Sequence, residues 1–156
     1  MVRIDIPGRE RELILEKLVL DYNGTIAADG RLIEEDRELI KKLAESLEVY
    51  VLTADTYGTV EKECEGLGVT VKTFPREGAG IFKEKIVKEM DGGVCAVGNG
   101  FNDTAMCKAA DLSIAVLDEE GLCPELLKWA DILVRSSADA LKLLLKPDRI
   151  RATLRN

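Results

Sequence analysis

Asp21 closes the apolar run Leu18-Val19-Leu20 and opens the stretch Asp21-Tyr22-Asn23-Gly24-Thr25. A carboxylate at the end of a buried strand can attack an electrophile such as phosphorus. The Gly-Thr turn behind it would leave that carboxylate facing a ligand. Taken alone, the same spacing also reads as an Asx turn. Thr53 ends Val51-Leu52-Thr53, and its hydroxyl could bind a phosphoryl oxygen. It could equally cap a helix, although Asp55 or Thr56 could serve there and release it. Lys83 lies in Phe82-Lys83-Glu84-Lys85-Ile86-Val87, where a cation could neutralise a phosphate. Most lysines are simply solvated. Gly98-Asn99-Gly100-Phe101-Asn102-Asp103 combines glycines, which permit close backbone approach, with hard oxygen donors suited to Mg²⁺. A glycine turn with an Asn/Asp cap is the bland alternative.

The chain has no histidine. Imidazole-based nucleophile activation and acid–base chemistry are therefore excluded. Catalysis must rest on carboxylates, lysine, hydroxyls, thiols or a metal. Cys64, Cys95, Cys107 and Cys123 form no Cys-x-x-Cys pair, which argues against zinc. They are expected to be buried or free thiols. A disulfide stays open if the source is thermophilic, as the absence of glutamine and the abundance of Glu, Lys and Arg suggest.

These residues need elements to position them, and the chain has the size and apolar content to build them. It has 156 residues, 46% of them hydrophobic, consistent with one domain spanning 1–156. The net charge of −7 argues against a general nucleic-acid binder. No apolar run reaches membrane-spanning length, and the start of the sequence lacks a signal-like apolar region. A cytoplasmic protein with no membrane partner is expected.

Alternation at Val2, Ile4 and Ile6, then Pro7-Gly8 and a second run at about 12–15, predicts a small N-terminal hairpin. Short buried strands are expected at 18–21, 49–52, 69–73, 94–97, 112–116 and 132–134. Helical spacing predicts a face of Leu39, Ile40, Leu43 and Leu47, and another of Val60, Cys64 and Leu67. A third face of Phe82, Ile86, Val87 and Met90 follows, with helices at 105–110 and 137–145, the last stopped by Pro147. Alternating strands and helices imply an α/β fold: a three-layer, Rossmann-like core around a mainly parallel sheet. Ligands bind such sheets at the carboxyl ends of strands. Asp21, Thr53 and Asn99 each fall just past such an end.

In this order the four stretches resemble the haloacid dehalogenase superfamily over nearly the whole chain. The nearest likeness is to the phosphorylation domain of P-type ATPases, with Thr53-Ala54-Asp55, Lys83 to Val87, and Gly98 to Asp103 matching its motifs. The chain looks like the soluble P-type ATPase-like phosphatases. The resemblance implies Asp21 as nucleophile and Asn23, Thr53 and Lys83 at the other catalytic positions. Asp21, Gly24, Thr53, Ala54 and Lys83 would bind phosphate. Asp21, the Asn23 carbonyl, Asn99 and Asp103 would hold Mg²⁺.

Two positions depart from the superfamily pattern. Asn23 stands where a general acid/base aspartate is usual, and Asn99 where a metal-binding aspartate is usual. The expectation is a Mg²⁺-dependent phosphohydrolase with weak turnover, acting on activated phosphates. Its partners would be a phosphorylated small molecule or a phosphoprotein. The alternative is a catalytically impaired domain that binds a phospho-ligand or a protein. The intervals 25–49 and 56–83 are too short for a cap domain. The site is therefore expected to be open, or covered by a neighbouring subunit of a homo-oligomer.

Overall fold

Residue alternation along the strands builds two cores on opposite faces of one sheet. In the strand Lys17–Asp21 (β3), Leu18 and Leu20 join one apolar cluster, while Val19 joins the other. Side chains alternate faces along a strand, so a run apolar on both sides must be covered twice. The computed structural model, which describes residues 1–55 and 58–156, has this three-layer arrangement.

The hairpin is formed by Val2–Ile4 (β1) and Leu13–Leu15 (β2), antiparallel with Val2 opposite Leu15. After β3 come two two-residue strands, Ala27–Ala28 (β4) and Arg31–Leu32 (β5), paired antiparallel. Asp29 and Gly30 between them have φ of 51° and 78°. Two consecutive positive φ values suit a tight hairpin turn, for which Asp-Gly is the favoured pair. This small hairpin, not expected from the sequence, occupies part of the 25–49 interval.

The rest alternates. Glu34–Ala44 (α1) and Glu48–Thr53 (β6) are followed by Thr59–Glu63 (α2) and Val69–Thr73 (β7). Ala79–Lys88 (α3) leads to Val94–Gly98 (β8), a 3₁₀ turn at Phe101–Asp103, and Thr104–Ala109 (α4). Leu112–Val116 (β9), a second 3₁₀ turn at Pro124–Lys128, Ile132–Val134 (β10) and Ser137–Leu145 (α5) complete the core. Thr56, considered above as a helix cap, lies outside the described residues.

The six-stranded sheet has the order β10-β9-β8-β3-β6-β7, and every pair is parallel. The chain leaves β3 for β6 on one side and later returns to β8 on the other. The crevice above the end of β3 is therefore the switch point at which such sheets bind ligands. Asp21 pairs with Leu52, and Leu20 with Val97. Thr53 and Asn99 thus sit within about a residue or two of the level of Asp21.

Two helices differ from expectation. The buried line of α3 is Ala79, Lys83 and Val87, whereas Phe82 is 38% exposed. The apolar pattern pointed to Phe82 because it gave no account of why a lysine should be buried. Pro147 does not only end α5. It is the first residue of a further helix, Pro147–Leu154 (α6), a position where its missing N–H costs nothing. Ile150 of α6 is fully buried.

The four cysteines are free, and all but Cys123 are buried. Among the described residues no helix is long and apolar enough to cross a membrane.

Asp36, in the first turn of α1, is fully buried, and among the described residues neither carboxylate oxygen has a hydrogen-bond partner. Burial pushes its pKa up to about 6, and the nearby Ser137 hydroxyl tempers the shift. Among the described residues Ser137 Oγ also has no hydrogen-bond partner, so the carboxylate is unsatisfied there. The ordinary value is 3.8, so the folded chain binds more protons than the unfolded one between about pH 4 and 6. Stability is then expected to fall as pH rises through that window and to stay reduced above it. Asp36→Asn should stabilise the chain by on the order of 2 kcal/mol at pH 8. It should do little at pH 4, as urea unfolding at the two pH values would show.

Candidate active site

A buried charge cluster lies at the end of β3. Asp21 is 7% exposed, Lys83 2% and Asp103 fully buried. Lys83 Nζ donates to Asp21 Oδ1 at 2.6 Å and to Asp103 Oδ1 at 2.7 Å. A third bond reaches Asn102 Oδ1 at 3.1 Å. The ammonium is thus saturated, as a buried cation must be. Burial pushes Asp21 up to about 7, and the Asp103 charge adds to this against the pull of Lys83. Burial alone would lower Lys83, but the two carboxylates outweigh it and its pKa is raised.

The other face of Asp21 is held by its own turn. The Thr25 hydroxyl, fully buried, lies 3.0 Å from Asp21 Oδ2 and 3.2 Å from Asn99 Oδ1. Its single proton serves one of them at a time. The turn is drawn tight by the Tyr22 carbonyl, which accepts from the N–H groups of Thr25, Ile26 and Ala27. Gly24 has φ of 76°, and a Cβ there would meet Asn99 Nδ2 at 2.3 Å. Its place in the motif is explained by this approach. Sequence reasoning assigned Gly24 to phosphate, but its N–H donates to the Ala27 carbonyl at 2.8 Å. The structure does not bring it to the cleft.

Asn99 is fixed on several sides. Its Nδ2 donates to the Gly121 carbonyl at 3.0 Å, and its own carbonyl accepts from Cys123 N at 2.8 Å. An aspartate could not make the first of these bonds, so the amide at this position has a local structural reason. Asp103 Oδ2 accepts from the N–H groups of Asn99 and Gly100 at 3.0 and 2.9 Å. With Lys83 on Oδ1, the Asp103 carboxylate shapes the loop and anchors the lysine. It was expected to be a metal ligand; here it accepts from three donors, Lys83 and the N–H groups of Asn99 and Gly100.

A cleft of about 400 Å³ opens above this cluster, lined by Asp21, Asn23, Thr53, Ala54, Lys83 and Asn99, with Phe74 and residues 100–102. Thr53 Oγ1 accepts from Asp55 N at 3.1 Å, and its proton has no acceptor among the described residues. Asp55 Oδ2 accepts from Thr59 Oγ1 and Val60 N, so it holds the start of α2 and leaves Thr53 free of that duty. Asn23 is exposed at the mouth, with no side-chain hydrogen bond among the described residues. Tyr22 is 1% exposed, and its hydroxyl donates to the Gly30 carbonyl.

Sequence reasoning left out two residues that touch the cluster, Thr25 and Asn102. Thr25 stood in the opening motif, and its spacing from Asp21 was the available signal. Asn102 sat inside the glycine loop among several candidate donors, and nothing in the sequence singled it out. Among the described residues no group of three or more His, Cys, Asp or Glu is arranged to hold a metal.

The fold is that of the haloacid dehalogenase-type phosphatases. The 3-deoxy-D-manno-octulosonate 8-phosphate phosphatase of Moraxella catarrhalis, solved with magnesium, phosphate and KDO, superposes with a TM-score of 0.71 at 13% identity. The match covers 90% of this chain and 94% of that one. The deoxy-D-mannose-octulosonate 8-phosphate phosphatase of Haemophilus influenzae, solved with cobalt, gives 0.67 at 14% identity, covering 90% and 89%. A putative subfamily III A hydrolase of Legionella pneumophila gives 0.67 at 16% identity, covering 90% and 87%. Identities this low show the fold alone. No protein-family model matches the chain. By sequence, it belongs to the family of the uncharacterized protein MJ0073 of Methanocaldococcus jannaschii. The two are 40% identical over 81 residues, which cover 49% of this chain and 87% of the relative.

Proposed function

We propose that this chain is a Mg²⁺-dependent phosphatase that works through an aspartyl-phosphate on Asp21 and prefers activated phosphates. The observation that carries the reading is the setting of Asp21. It ends the central strand, with Lys83 on one oxygen, Thr25 on the other, and an open cleft bearing the Thr53 hydroxyl before it. The phosphatases that share the fold support it.

The charge balance calls for a cation. The cluster holds two carboxylates and one lysine in a chain of net charge −7, so a phosphate dianion would meet net repulsion there. The available donors are hard oxygens: Asp21, Asn99 Oδ1 and the Asn23 carbonyl, which accepts no hydrogen bond among the described residues. Such a set fits Mg²⁺. When bound, Mg²⁺ would offset the charge of the phosphoryl group beside Asp21.

In this reading an Asp21 oxygen attacks phosphorus, and the bond to the leaving oxygen breaks. Thr53 holds a phosphoryl oxygen, and Lys83 holds another by exchanging its bond to the attacking Asp21 carboxylate, as charge shifts onto them. The leaving group departs with the electron pair as an anion, because the Asn23 amide has no proton to give. A good leaving group needs none, which is why acyl phosphates and anhydrides suit the site. Water then attacks phosphorus, releases phosphate and restores the Asp21 carboxylate. Without a general base at residue 23 this second step is slow.

The test is turnover of acetyl phosphate and p-nitrophenyl phosphate with and without Mg²⁺. Acetyl phosphate should be the better substrate, and both activities should vanish in EDTA and in Asp21→Asn. Activity unchanged in Asp21→Asn would overturn the reading. Tight binding of beryllofluoride with no turnover would point instead to a phospho-ligand-binding domain.

A further inference from the structure

A second depression lies across a ridge from the catalytic cleft, and it is apolar where the cleft is polar. Its volume is about 710 Å³, and it runs between the start of α3 and the start of α4. Ile81, Phe101 and Trp129 line it and are 72%, 70% and 41% exposed. Leaving three such side chains in water forfeits the burial that drives folding, which marks a surface meant to be covered. Phe101 and Asn102 line both the groove and the cleft, so a molecule with its phosphate at Asp21 can extend directly onto the groove.

The rim adds charge. Arg76 and Lys108 both line the groove, and among the described residues neither has an ion-pair partner. Lys108 Nζ lies 4.5 Å from the centroid of the Trp129 ring. Two uncompensated cations in a chain of net charge −7 favour an anionic ligand at this edge.

Leaving-group chemistry points the same way. With Asn23 unable to supply a proton, the group that departs must be stable as an anion. Carboxylates and phenolates meet that condition. We infer that the substrate carries an aromatic leaving group, an aroyl or aryl phosphate whose ring lies on Phe101, Ile81 and Trp129. This rests on the phosphatase reading and names the substrate class for the same site. The ring covers the exposed apolar side chains, and any acidic substituent on it faces Arg76 or Lys108.

The experiment compares benzoyl phosphate with acetyl phosphate, whose leaving groups are of similar acidity, on the full chain with Mg²⁺. Seating a ring on the groove is expected to favour benzoyl phosphate about 10–100-fold in kcat/KM, mainly through KM. Ile81→Glu and Trp129→Ala should each reduce that preference about tenfold or more. A binding arm needs no turnover. Trp129 is the sole tryptophan, so its fluorescence reports titration with benzylphosphonate and with methylphosphonate. Benzylphosphonate should bind at least about tenfold more tightly and shift the emission. Equal kcat/KM for the two phosphates, with equal phosphonate affinities, overturns the inference and leaves the phosphatase reading standing. If neither phosphate is hydrolysed, the phosphatase reading falls. The phosphonates still decide whether an aromatic group seats here: tighter benzylphosphonate supports the groove, and no difference overturns it.

Discussion

An Asn23→Asp chain is expected to hydrolyse phosphate monoesters of aliphatic alcohols about 10²–10⁴ times faster than the parent. Acetyl phosphate, whose leaving group departs as a carboxylate, should gain far less in its first step. Residue 23 stands at the mouth of the cleft, where it also borders a neighbouring pocket. No hydrogen bond among the described residues holds its side chain, so a carboxylic acid there is free to meet a leaving oxygen. The turn that places it is tied to the Tyr22 carbonyl and does not depend on the Asn23 side chain. Steady-state rates on an alkyl phosphate and on acetyl phosphate, measured side by side, read the effect. Equal rates in variant and parent would move the shortfall to Asn99, which carries no charge for a metal.

The second large effect is on stability. Lys83→Met should destabilise the metal-free chain by about 3–5 kcal/mol, the usual cost of removing one partner from a buried ion pair. Methionine matches the length of the stem but leaves Asp21 and Asp103 facing each other, buried and without their shared cation. Arginine would not restore the parent, because the site is closed around a 2% exposed ammonium. Urea titration in EDTA measures the loss. The same variant should lose turnover, since the cation that holds the phosphoryl oxygens is gone. A stability within about 1 kcal/mol of the parent would mean that the cluster is solvated in solution and would remove the basis for a buried site.

The sheet was legible because its strands are short apolar runs, several of them closed by turn-forming residues at the carboxyl end. Asp21, Thr53 and Asn99 could be placed at one edge from that pattern alone. Lys83 was legible as a candidate, but its burial was not. Helical periodicity ranks side chains by hydrophobicity, so it turned α3 toward Phe82 and away from the lysine that two carboxylates pull inward. The β4–β5 hairpin was missed because two-residue strands carry no periodicity, although Asp29-Gly30 was a usable turn signal. The roles of Asp103 and Gly24 depend on which backbone groups their atoms meet across the loop, and no spacing rule supplies that. Asn99 illustrates the limit most plainly. Its type could be read as a weakened metal ligand, whereas its bond to the Gly121 carbonyl is visible only in three dimensions.

Asp21 is the residue expected to carry the phosphoryl group. The direct measurement is an acid quench of the chain with radiolabelled acetyl phosphate and Mg²⁺, followed by peptide mapping. One acid-stable, hydroxylamine-labile phosphate per chain is expected on the peptide containing Asp21. That label should be long-lived in the parent, shorter-lived in Asn23→Asp and absent in Asp21→Asn. Label that persists in Asp21→Asn, or hydrolysis of acetyl phosphate with no label in any quench, would contradict it.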